Sequence, residues 1–124
     1  MSLGLLLSDD LIFTSRVTGT ARDLGLTVKA ARNASALVEL AQRTPPSCVL
    51  VDLHNPGLDL LALLARLAET CAVMPRVVGY GSHVDTATLR AAREAGCEPV
   101  LPRSKFVEDL PTMLVRWLTS AEIE

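Results

Sequence analysis

The chain has 124 residues, 12 Lys and Arg against 14 Asp and Glu, a formal net charge of -2, 49% hydrophobic residues and 3% aromatic ones. That length suits one domain with a core of its own, and a mean hydropathy of +0.33 excludes a disordered chain. A pI of about 5.7 and the scarcity of aromatics leave neither a basic face for a phosphate backbone nor a stacking platform for single strands, so no direct nucleic-acid binding is expected.

Short apolar runs alternate with amphipathic stretches along the whole chain. Leu3–Leu7 reads as a buried strand that stops at Ser8-Asp9-Asp10. Ile12, Val17, Ala21 and Leu24 fall near helical spacing, and Gly25 closes that segment. Leu26–Ala31 is a second strand, whose alternation suggests a sheet edge with one wetter face. Asn33 or Ser35 caps a short helix that Pro45-Pro46 stops. Cys48–Val51 is a third strand, apolar on both faces, and it ends at Asp52. Asp59–Glu69 is a Leu/Ala-rich helix, and Pro75 precedes a fourth strand, Arg76–Tyr80. Asp85 or Thr86 caps the next helix, which Gly96 closes. Pro99–Pro102 is a short fifth strand between prolines, and Phe106–Thr119 is a last helix with Pro111 expected in its first turn. Five βα units with strands buried on both faces predict a parallel sheet covered by helices on both sides.

The cysteines, Cys48, Cys71 and Cys97, are odd in number and widely spaced, with no CxxC or Cys/His ligand pattern. They read as reduced, buried small hydrophobes in a cytoplasmic protein. The apolar N-terminus is too short to span a membrane and lacks a signal-peptide pattern, so no membrane association is expected.

In an open parallel sheet, ligands bind beyond the carboxyl ends of the strands. The residues placed there are Asp9 and Asp10, Asp52, then Tyr80, Gly81, Ser82 and His83, and finally Arg103, Ser104 and Lys105. If strands one and three are neighbours, three carboxylates converge on one small volume. Such convergence needs a counter-charge. A hard divalent cation such as Mg²⁺, with oxygen ligands and several retained waters, supplies one, and Arg103 supplies another. A phosphate-cradling loop is missing after strand one, where Asp9-Asp10 would repel a phosphate without metal, and this argues against a flavodoxin-like cofactor binder. His54 and His83 fall in loops near the same edge and read as solvated residues. Trp117 reads as a half-buried residue of the last helix.

Leu5-Leu6-Leu7-Ser8-Asp9-Asp10, then Val49 to Asp59 with Pro56 four residues after Asp52, then Ala95-Gly96 leading to Arg103, resemble the receiver domain of two-component response regulators. The resemblance spans roughly Leu5 to Leu118. It implies a flavodoxin-like (βα)5 fold with strand order 2-1-3-4-5, a doubly wound parallel sheet. It also implies that Asp52 is the phosphoacceptor and that Asp9, Asp10, Asp52 and the backbone carbonyl of His54 hold Mg²⁺. The expected module is for signalling rather than an enzyme: a sensor histidine kinase or phosphotransfer protein charges Asp52, and a downstream protein partner reads the result. Pairing of two copies through the helix-four, strand-five, helix-five face is carried over by resemblance alone.

The chain departs from the family in two places. Tyr80 falls where the family places Thr or Ser, with Ser82 two residues on. Arg103 stands where the family places Lys, followed by Ser104 instead of proline. Arg keeps the charge but is longer and forked, and Lys105 would reach the site only after a loop rearrangement. The phosphorylation half is intact and the read-out half is altered. A phosphorylation-independent protein-interaction module, a degenerate receiver, is the alternative. The five units use nearly all of residues 1–124 as one receiver-like domain and leave no room in them for an output domain.

Overall fold

The structure is a computed structural model that describes residues 2–123, with side chains described to residue 119; the first and last residues of the expected domain lie outside the described residues. Five strands and five helices alternate: β1 (Leu3–Leu7), α1 (Leu11–Asp23), β2 (Thr27–Ala31), α2 (Ala34–Arg43), β3 (Cys48–Asp52), α3 (Leu60–Thr70), β4 (Arg76–Gly81), α4 (Thr86–Ala95), β5 (Val100–Pro102) and α5 (Arg103–Ile123). The strands form one parallel sheet in the order β2-β1-β3-β4-β5. This is the expected receiver, flavodoxin-like fold.

Every residue of β1 and β3 is buried, as their unbroken apolar runs require of central strands. β2 lies at the edge and buries only Val28 and Ala31. One core layer packs α2, α3 and α4 on the sheet through Leu37, Leu63, Leu67 and Leu89. The other packs α1 and α5 through Phe13, Val17, Phe106, Leu114 and Trp117. All three cysteines are buried and free, and burial pushes the Cys48 thiol up to about 12. Among the described residues, no helix is long and apolar enough to cross a membrane.

Side chains at the loops start four of the helices. Asp10, Asn33, Asp59 and Asp85 each accept a backbone N–H three residues on, from Phe13, Ala36, Ala62 and Thr88. Asn33 and Asp85 thus settle two choices that sequence left open. Gly96 ends α4 at φ +112°, a left-handed turn that glycine adopts without a Cβ clash.

Three expectations are corrected. The inward stripe of α1 is Phe13, Val17 and Ala21; Ile12 is 86% exposed. Because Asp10 caps the helix, residues 13, 17 and 21 face the sheet and Ile12 faces water. Trp117 is buried outright rather than half-buried. α5 begins at Arg103, so Pro111 lies within the helix and not in its first turn. Its apolar stripe, Phe106, Leu110, Leu114 and Leu118, needs a full helical run to face the sheet. Pro111 sits on the exposed side, where water can satisfy the carbonyl that a proline leaves unpaired.

Candidate functional site

The loops after β1, β3, β4 and β5 enclose a cleft of about 830 Å³ at the carboxyl edge of the sheet. Asp9, Asp10, Asp52, His54, Ser82 and Arg103 all line it. The parallel register sets Leu7 beside Val51 and Asp52 beside Tyr80, so β1, β3 and β4 end together.

Asp52 is buried to 7% exposure, the one buried acid among the described residues. Its Oδ1 accepts the His54 backbone N–H at 2.9 Å. Asp9 is exposed at the rim. Asp10 is committed twice: Oδ1 caps α1, and Oδ2 accepts Arg103 Nη2 at 3.0 Å. The Phe13 amide first, and Arg103 second, hold the Asp10 carboxyl below the ordinary carboxylate range. Arg103 also lays its guanidinium 4.3 Å from the centre of the Phe13 ring, a cation–π contact.

The β4 side of the cleft is built differently from expectation. Tyr80 is fully buried, and its ring turns into the α1/α5 layer. It stacks on Phe106 at 4.4 Å, which stacks on Trp117 at 5.7 Å, while Phe13 lies 5.0 Å from Tyr80. These are all four aromatic side chains of the chain, gathered in one column. The Tyr80 hydroxyl lies beside Ser8 without a hydrogen bond of good geometry, and burial, with the nearby Asp52 charge, drives its pKa upward. Tyr80 thus packs in the α1/α5 layer while it also lines the cleft.

Gly81 carries no side chain, and the His54 imidazole fills the space. A Cβ on Gly81 would come 3.0 Å from His54 Nε2. That same nitrogen accepts the Ser82 N–H at 2.9 Å. His83 is exposed at the cleft wall. Lys105 does not reach inward: its ammonium pairs with Asp109 at 3.3 Å and Glu108 at 3.7 Å along α5, and Asp109 above all raises its pKa.

Two organising side-chain contacts come into view only in the folded loops. Asn55 is buried, accepts the Asp9 N–H at 2.8 Å and donates to the Arg32 carbonyl at 3.1 Å, so one amide ties three loops together. The His54 side chain is exposed, as expected of a loop residue, and its imidazole also bridges the β3 and β4 loops.

Oxygen donors from Asp9, Asp52 and the His54 carbonyl match a hard cation in kind. Asp10, expected beside them, is held by Arg103. Among the described residues no group of three His, Cys, Asp or Glu side chains is arranged to hold a metal ion.

No protein-family model and no curated protein matches the chain. Solved structures do. The receiver domain of NtrX from Brucella abortus superposes with a TM-score of 0.79 at 23% identity, over 93% of this chain and 97% of that one. Against a longer NtrX chain, in complex with ADP, the TM-score is 0.83 at 22% identity; 99% of this chain is covered, but it spans only 28% of that protein. A CheY-like receiver domain protein from Methanospirillum hungatei gives 0.82 at 14% identity over 99% and 98% of the two chains. A Burkholderia pseudomallei response regulator, solved with a phosphorylated aspartic acid and a calcium ion, gives 0.76 at 22% identity, over 99% of this chain and 71% of that one. At these identities the likeness establishes the fold: the chain has the receiver fold of two-component response regulators.

Proposed function

We propose that the chain is a phosphorylatable receiver whose acceptor is Asp52. The observation that carries this reading is the buried Asp52 carboxylate at the carboxyl end of β3. Oδ1 is oriented by the His54 amide, and Oδ2 makes no hydrogen bond among the described residues at the cleft. In the transfer, an Asp52 oxygen attacks the phosphorus of a phosphohistidine in line. The new O–P bond forms as the P–N bond breaks, and the kinase imidazole leaves with the electron pair. The His54 amide fixes the attacking carboxylate, and Asn55 holds the Asp9 loop beside it. Arg103 adds positive charge at the same edge. Mg²⁺, bound by Asp9, Asp52 and the His54 carbonyl, would offset charge on the transferred oxygens.

The fold supports partners of the usual kind: a sensor histidine kinase or phosphotransfer protein upstream, and a downstream protein that reads the charge on Asp52. Pairing through α4, β5 and α5 belongs to the same reading. So does a single domain over residues 1–124 whose output lies in another domain or protein.

One observation favours a second reading. The Arg103–Asp10 pair already neutralises one of the three acids, as suits a phosphorylation-independent interaction module. Incubation with Mg²⁺ and a small-molecule phosphodonor, followed by intact mass measurement, separates the two. The first reading predicts one phosphoryl adduct, absent from Asp52→Asn. A wild-type protein that takes up none leaves the second.

A further inference from the structure

Receiver activity at Asp52 places demands on the β4–α4 turn, because a phosphoryl group there needs hydrogen-bond donors. Gly81 offers no side chain. The Ser82 backbone N–H lines the same cleft, and backbone amides at strand ends are good anion donors. In this structure, that amide is already taken by His54 Nε2 at 2.9 Å. The acceptance also fixes the tautomer: Nε2 is the unprotonated nitrogen. The ring is held by shape as well as by the bond. A Cβ on Gly81 would meet the ring's Nε2 at 3.0 Å and Cδ2 at 3.3 Å, and Leu89 Cδ2 at 3.4 Å.

We propose that His54 is a positioning residue: its imidazole stands where a residue-81 side chain would stand and holds the Ser82 amide, so that a phosphoryl group on Asp52 gains that donor only by displacing the ring. This rests on the reading of Asp52 as acceptor. It explains why a glycine at 81 and a histidine at 54 occur together, since either a larger residue 81 or a ring elsewhere would break the arrangement.

The test pairs hydrogen exchange at the Ser82 amide with the lifetime of the phosphodonor adduct. His54→Leu keeps the bulk and loses the acceptor. Exchange at Ser82 is expected to rise about tenfold, the value of one hydrogen bond, and the adduct to last longer because the freed amide now serves the phosphoryl group. His54→Gln, whose Oε1 falls near the place of Nε2, restores slow exchange and the shorter lifetime. Gly81→Ala, whose Cβ obliges the ring to give by a few tenths of an ångström, raises Ser82 exchange in the wild type and adds nothing in the His54→Leu background. Unchanged Ser82 exchange in His54→Leu, or adducts of equal lifetime, overturns the proposal while leaving Asp52 as acceptor. The expected exchange pattern with no adduct in any variant overturns the acceptor reading and leaves His54 as the holder of the Ser82 amide.

Discussion

The two sides of the cleft are put together on different principles. On the β1/β3 side, short acidic side chains stand at strand ends and are oriented by local backbone: Asp10 by the amide of Phe13, Asp52 by that of His54. On the β4/β5 side, a histidine and an arginine reach across between loops. His54 crosses to Ser82, 28 residues away, and Arg103 crosses to Asp10, 93 residues away. The first side is an acid cluster that two strands impose. The second is a set of fillings and clamps around a glycine and a buried tyrosine. The acid cluster and the contacts that frame it are therefore separable parts of one cleft, and each can be altered without rebuilding the other.

Substitutions on each side should break this contrast in distinct ways. Phe106→Ala removes the middle of the aromatic column that backs the β4 side. It should cost about 3–5 kcal/mol in denaturant unfolding, as for other fully buried aromatics. Asn55→Ala strips a buried amide from Asp9 N–H and the Arg32 carbonyl. A loss of about 2 kcal/mol is expected, from unsatisfied polar groups, with weaker Mg²⁺ binding in a calorimetric titration. Arg103→Ala releases Asp10 and should tighten Mg²⁺ by a factor of about two to five, the range of an exposed ion pair. Tyr80→Phe deletes a hydroxyl that makes no hydrogen bond, and its unfolding midpoint should match or slightly exceed that of the wild type.

Acid titration gives the smallest effect. Asp10 has a lower pKa folded than unfolded, so the folded state holds fewer protons on it. The stability it contributes is complete above the ordinary value of 3.8 and drains as pH falls through the lowered one. Asp10→Asn, which keeps a capping side chain, should flatten that acid limb of the stability curve.

The fold was legible because its signals are local. Leu3–Leu7 and Cys48–Val51 are apolar without a break, as central parallel strands are, and Asn33 and Asp85 stand among the cap candidates that residue type suggests, whereas the caps at Asp10 and Asp59 emerge only in the structure. The order of strands came from the resemblance, not from pattern. Position at strand ends was enough to bring Asp9, Asp10, Asp52 and Arg103 to one cleft. What escaped depends on direction. Strand alternation sends the Tyr80 ring into one layer and opens Gly81 toward the other, so Tyr80 both packs in the core and lines the cleft. Nothing in sequence ties His54 to Gly81, or Asn55 to Arg32, because those partners meet only once the loops are folded. Pro111 misled for a related reason: a proline marks a helix start locally, while the stripe from Phe106 to Leu118 decided where α5 runs.

Whether Asp52 receives the phosphoryl group can be read chemically. After incubation with Mg²⁺ and a phosphodonor, borohydride reduction converts an aspartyl phosphate to homoserine, which peptide mass spectrometry locates. Homoserine is expected at position 52 and at no other acid. Reduction at Asp9 or Asp59, or at none, would contradict it.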